Sequence, residues 1–282
     1  MGGGAPVCAR SRTIFQNPDK LYRTRAAIDR AHPMAFELVG LFVLLGVAFV
    51  PSLYFMVRIR NLERYNRNPW TLMFYAFGWG AVASIVIAII LELWLPAKLE
   101  SFRPTGISQN LFLAVVIAPL CEESAKILGI IPLSRSRLWE EDDGLVFGAT
   151  AGLGFAATEN LIYELNALQM GFLLWVLVAV LRIATSTLLH ASATAMSGWG
   201  LSKWKTKQGV EGLLTFVVFL GLAMVMHGTF NLLASIGILY SSEAGSWLLS
   251  ILLVFVFALT VYRFTRRKIQ ELDRRVVLGR PA

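Results

Sequence analysis

The stretch LFLAVVIAPLCEESAKILGIIPL, residues 111–133, decides how the chain is read. It is apolar at both ends and carries Glu122, Glu123 and Lys126 in its interior. A charged side chain at the centre of a bilayer costs on the order of 2.5–3.5 kcal/mol on insertion scales, so such groups are usually paired, turned inward and functional. Glu122 and Lys126 are four residues apart and share a helix face, and Glu123 lies three from Lys126. One ion pair with Lys126 would let the helix insert, but it accounts for only one of the two carboxylates.

The rest of the chain surrounds this segment with more of the same. Of 282 residues, 56% are hydrophobic and only 16% charged, and the mean hydropathy is +0.62. That composition excludes a disordered chain and an ordinary soluble domain, in which roughly a quarter of residues are charged. Apolar runs of about 20 residues read as membrane-spanning helices. They fall at 36–57, 70–95, 111–133, 145–168, 172–201, 213–238 and 246–262. The fold class is therefore all-α, a polytopic transmembrane helix bundle of about seven spans. Residues 1–35 read as a basic N-terminal tail, 36–264 as the transmembrane domain and 265–282 as a basic cytoplasmic tail. The run 172–201 is too long for the bilayer core, so it must tilt, protrude or break near Gly198 and Gly200. Pro51 and Pro119 are candidate kinks. Two cysteines make no disulfide framework, and the first 30 residues are basic without the apolar core of a signal peptide.

Orientation follows from the basic residues. The loops after the first, third and fifth runs and the C-terminal tail together carry sixteen Lys and Arg, against Lys98 and Arg103 in the opposite loops. That side is expected to be cytoplasmic. The six basic residues of the N-terminal tail run against this assignment. The net charge of +8 belongs to these loops and tails and does not point to nucleic acid.

Other spans hold ionisable groups too: Glu159-Asn160 in the fourth, Arg182 and His190 in the fifth, His227 and Asn231 in the sixth. Counted from the cytoplasmic ends, Glu122, Glu159, His190 and His227 all lie roughly 16–21 Å deep at a rise of ~1.5 Å per residue. Polar residues can simply glue membrane helices together, yet four spans placing such groups in one layer favours a site. Gly148 and Gly152 read as a packing seam. Glu37, Glu92 and Glu164 read as interfacial, and six tryptophans near run ends suit an aromatic belt.

These residues resemble the PrsW family of intramembrane proteases, related to the CAAX-prenyl endopeptidase and bacteriocin-processing superfamily. EExxK matches Glu122-Glu123 to Lys126, FxxxEN matches Phe155 to Glu159-Asn160, and HGxxN matches His227-Gly228 to Asn231. Arg182 and His190 precede a small-residue run, as the family pattern has them. The resemblance covers about 118–233 and marks 111–238 as a protease-like core. The prenyl endopeptidases carry EExxxR and FxxxH, so Lys126 and Glu159 depart from that branch. The resemblance implies cleavage of a membrane-protein or peptide substrate in or beside the bilayer. For PrsW-type enzymes that substrate is a membrane-bound anti-sigma factor, which places the chain in a prokaryotic plasma membrane.

Amide hydrolysis needs an activated water, a stabilised oxyanion and a proton for the leaving amine. Glu122 and Glu159 facing each other around one water would share a proton and act as base and acid. By resemblance, His227 and Asn231 form the oxyanion site. His190 orients the water or a carboxylate, while Glu123, Lys126, Asn160 and Arg182 hold the geometry. No metal is needed in this version. A competing version binds zinc through Glu122, Glu159, His190 and His227. A different class, a proton-coupled transporter, would also use buried Glu and His, but no internal repeat supports it. The oligomeric state is not legible.

Overall fold

The computed structural model describes residues 40–136, 140–239 and 244–277. The basic N-terminal tail and Glu37 lie outside them. Of the unit Met1–Leu45, the first turns of one helix are described; the packing discussed below belongs to the unit Gly46–Ala282.

Unbroken apolar runs form helices because a chain in hydrocarbon must satisfy every backbone group internally. The described residues hold α1 (Gly40–Arg60), α2 (Trp70–Phe102), α3 (109–128), α4 (Ile131–Ser136) and α5 (Glu141–Met170). They continue with α6 (Phe172–Ala184), α7 (Ser186–Lys207), α8 (Gly209–Leu239) and α9 (Ala244–Val277). No strand occurs among the described residues. Six helical segments are long and apolar enough to cross a membrane, α6 and α7 together counting as one. α3 would be the seventh: its 109–128 stretch rises about 30 Å at ~1.5 Å per residue. Its three charges keep it out of a purely hydropathic count. The chain is thus a polytopic helical membrane protein.

Several expectations change in detail. The long fifth run breaks at Thr185 (φ −128°, ψ −71°), not near Gly198 and Gly200. Those glycines serve close approach instead: a Cβ on Gly198 would lie 2.0 Å from the Gly144 carbonyl oxygen. α1 runs through Pro51 without interruption. The third run ends early, at a turn where Gly129 is pressed against the Trp79 ring. α2 continues through Pro96 to Phe102, seven residues beyond the predicted end. Glu164 is packed against its neighbours and accepts a hydrogen bond from Trp175 Nε1 (3.2 Å). Trp199 and Trp204 are half-buried, the first donating to Glu141 and the second stacked on Phe216.

The most buried helices are α5 and α7. Gly144, Gly148 and Gly152 recur every four residues along α5, and added Cβ atoms there would meet the backbone of α7 at Gly198, Thr194 and His190. This small-residue seam lets two backbones touch and fixes α7 against α5. On the other side of α5, Gly154 lies against the Phe77 carbonyl of α2 and Gly80 against the Ala151 carbonyl.

The basic loops of the sequence do gather at one end of this unit. Asn68 donates to Glu63 and to Asp143, Asn66 to Glu140, and the Arg64 and Tyr65 amides to Asp273 of α9. Lys203 pairs with Glu141 at 2.8 Å. Glu140 and Asp143 form a capping box at the start of α5, where carboxylates suit the helix dipole. Burial pushes the Glu63 carboxyl from its ordinary 4.5 up to about 8.

Candidate active site

Two helices turn backbone carbonyls toward side chains of their neighbours through irregular turns. Residues Leu113–Ile117 of α3 are wound as a π-helix, with Pro119 the second residue after it. The Ala118 amide reaches back to the Leu113 carbonyl. Pro119 has no N–H to offer the next carbonyl in the ladder, that of Ala114. Asn231 Nδ2 of α8 supplies the missing donor at 2.8 Å. Gly228 makes room for the neighbouring Val115 carbonyl oxygen, 2.4 Å from where a Cβ would stand. In α2 a second π-helical stretch, Trp79–Ser84, turns the Gly80 and Ala81 carbonyls to Ser84 and to Thr158 of α5. These turns place α2, α3, α5 and α8 around one cavity of about 530 Å³, lined by Glu122, Glu159, Arg182, His190, His227 and Asn231 among others.

Behind the lining residues of the cavity Lys126 is fully buried. Its Nζ donates to Glu123 Oε1 (2.8 Å) and Glu122 Oε2 (3.1 Å) and lies 2.9 Å from His190 Nδ1. It also sits 3.9 Å from the centre of the Phe155 ring, a cation–π contact. An ammonium only donates, so His190 Nδ1 accepts. The His190 proton is then on Nε2, donated to Glu159 Oε2 at 2.7 Å. Both ring nitrogens of His190 are thereby engaged.

Glu123 is also fully engaged: besides Lys126 it accepts from Thr194 Oγ1 (2.9 Å) and from His227 Nδ1 (3.0 Å). With Nδ1–H spent on a carboxylate, His227 has only Nε2 left to use. Glu159 is held by Arg182 Nη2 at 2.6 Å. Arg182 also donates to Asn160 Oδ1 (2.8 Å) and Ser186 Oγ (3.1 Å), so the break at Thr185 puts one guanidinium across three partners. Asn160 in turn donates to Thr187.

Eight of the nine residues singled out in the sequence therefore join one connected network, and the ninth, Asn231, lines the same cavity while bonded to the Ala114 carbonyl. Each carboxylate has its own cation, Glu122 with Lys126 and Glu159 with Arg182, and no hydrogen bond joins Glu122 to Glu159 among the described residues. Glu122, His190 and His227 each offer a ligand atom within 4.8 Å of the others; Glu159 is outside that group. The sequence reading missed Glu92, which also lines the cavity. In the sequence it reads as interfacial because it stands near the end of the apolar run 70–95. It also missed Thr194, for which a lone threonine in a small-residue run gave no signal.

A membrane bundle whose central cavity is walled by carboxylates, imidazoles and an amide gathers the groups that acid–base chemistry within a membrane would use. A family model described as PrsW family intramembrane metalloprotease matches residues 68–261. Protease PrsW of Clostridioides difficile (strain 630) is 28% identical over 222 residues, 76% of this chain and 85% of that protein. Protease PrsW of Bacillus subtilis (strain 168) is 22% identical over 194 residues, 68% of this chain and 82% of that one. No solved structure matches. The chain belongs to the PrsW family of intramembrane proteases.

Proposed function

We propose that the chain hydrolyses a peptide bond in or next to a transmembrane segment of a membrane-protein substrate, with Glu122 activating the water. The family resemblance points to a membrane-anchored anti-sigma factor as the substrate. It also suggests a prokaryotic plasma membrane, and the excess of Lys and Arg puts the basic loops and the end of α9 in the cytoplasm. The observation that carries the mechanism is the division of labour between two adjacent glutamates. Glu123 is saturated by Lys126, Thr194 and His227, whereas Glu122 has one hydrogen-bonded partner and an edge on the cavity.

In this reading Glu122 takes a proton from water as the water oxygen bonds to the scissile carbonyl carbon. The same proton passes to the amide nitrogen as the C–N bond breaks, so acid and amine leave and Glu122 is regenerated. Asn231 spends one Nδ2 hydrogen on Ala114 and has a second for the developing oxyanion. His227 joins it when Nε2 carries a proton, with Glu123 as counter-charge. Glu159 and Arg182 keep His190 in a single tautomer, and His190 keeps Lys126 in place.

The family description invites a metal, and Glu122, His190 and His227 are a reasonable N/O donor set for zinc. The residues as arranged do not fit one. His190 has no free nitrogen, since Nδ1 meets Lys126 at 2.9 Å and Nε2 meets Glu159 at 2.7 Å. A cation bound there would have to displace the ammonium. The test is to map membrane-protein N-termini by mass spectrometry in cells making wild type or Glu122→Gln. New termini beside transmembrane segments that vanish in the variant support the reading. Identical termini, with both proteins expressed equally, count against it and move attention to proton flux.

A further inference from the structure

Matching each carboxylate of the cavity to the cation it touches leaves one without a partner. Four carboxylates stand there or directly behind it: Glu92, Glu122, Glu123 and Glu159. Two fixed cations answer them. Lys126 serves Glu122 and Glu123, and Arg182 serves Glu159. Glu92 has no hydrogen bond or ion pair among the described residues, although it is only half-buried and open to the cavity. Its place is not an end of the bundle. It lies ten residues before the end of α2, about 15 Å deep at ~1.5 Å per residue, while Glu122 is about 20 Å from the same end of α3. Ile85, Ala88 and Glu92 share a helix face and line the cavity together, so the carboxylate is set in an apolar wall. A lone charge in such a wall is costly to hold, and a visiting cation would offset that cost.

We infer that Glu92 is a specificity-determining residue that receives a Lys or Arg side chain of the substrate, a few residues from the cleaved bond. The inference rests on the protease reading. Its chemistry fits the substrate class: transmembrane segments carry Lys and Arg near their ends, with long apolar stems that lie along an apolar wall while the charged head seeks a partner. Neither cation of the site is free to neutralise Glu92, because both are fully committed to other carboxylates.

The experiment uses the purified full chain in detergent and a proteome-derived peptide library, with the products sequenced by mass spectrometry. Wild type should cut with Lys or Arg enriched at a fixed offset from the bond. The basic-over-neutral ratio at that offset should fall about ten- to a hundredfold in Glu92→Gln, the loss of one charge-assisted pair. In Glu92→Lys the preference should turn to Asp or Glu, a gain that a misfolded protein cannot show. Glu211→Gln, at the exposed start of α8, should leave the ratio as it is. Cleavage by wild type without a basic preference, or the same preference in Glu92→Gln, overturns the inference and leaves the protease reading intact. Loss of all cleavage in both Glu92 variants, at wild-type thermal stability, would make Glu92 catalytic and also overturn it. A library untouched by wild type and by Glu122→Gln alike would sink the protease reading itself.

Discussion

Gly152→Ala tests how the α5–α7 seam sets the active site. A Cβ at Gly152 would stand 2.1 Å from the His190 carbonyl oxygen and 3.1 Å from the Ala191 Cα. An ordinary contact begins near 3.4 Å, so the first distance is short by about 1.3 Å. The obstacle is helix backbone on both sides and cannot swing away. α7 must move, and His190 moves with it. Glu159 stands on α5 itself, so its bond to His190, now 2.7 Å, would open well past hydrogen-bonding range. Overpacking of this kind costs about 1–3 kcal/mol of stability. Misplacing a catalytic group by about 1 Å costs on the order of a hundredfold in rate. The assay is thermal unfolding in detergent alongside peptide cleavage. Gly221→Ala serves as the control, because no atom lies within 4 Å of a Cβ there. A Gly152→Ala protein with the melting temperature and rate of wild type would refute the idea that this contact fixes His190.

Other consequences are open to direct measurement. Lys126→Met should destabilise the protein by about 3–5 kcal/mol, because it strands two buried carboxylates; Lys126→Met with Glu123→Gln should recover part of the loss in the same thermal assay. Glu122→Gln should lower the cleavage rate by about 10²–10⁴-fold, the usual worth of a general base, while keeping the melting temperature. Glu63 gives a pH dependence outside the membrane: its folded-state value of about 8 against 4.5 means the folded protein binds the extra proton between those values. Stability should therefore fall as pH rises from about 4.5 to 8. Glu63→Gln should flatten that decline, and an unchanged slope in a pH series of melting curves would contradict the assignment.

Much of the bundle was legible because hydrocarbon imposes simple rules. Apolar length located the helices, and the motif residues Glu122, Glu159, His190 and His227 declared themselves by being charged or polar where charge is costly. What escaped was tertiary in origin. The break at Thr185 has no proline or glycine of its own and exists where Arg182 reaches Glu159, Asn160 and Ser186. Gly198 looked like a bend and is a contact. Glu92 stands near the end of an apolar run, and only the continuation of α2 through Pro96 to Phe102 and the packing around the cavity bring it into the site. The pairing of Glu122 with Glu159 was also beyond the sequence. Spacing puts two carboxylates in one layer, but only packing decides that each has a separate cation.

The most direct measurement of the central claim is cleavage of a synthetic transmembrane peptide by the purified chain in proteoliposomes, with a zinc chelator in a parallel sample. Glu122-dependent hydrolysis without a metal predicts a defined cut by wild type, none by Glu122→Gln and the same rate with chelator. Cutting by Glu122→Gln at the wild-type rate would contradict the role of that residue. Loss of activity in chelator, restored by added zinc, would contradict the metal-free site and show that Lys126 gives way to a bound ion.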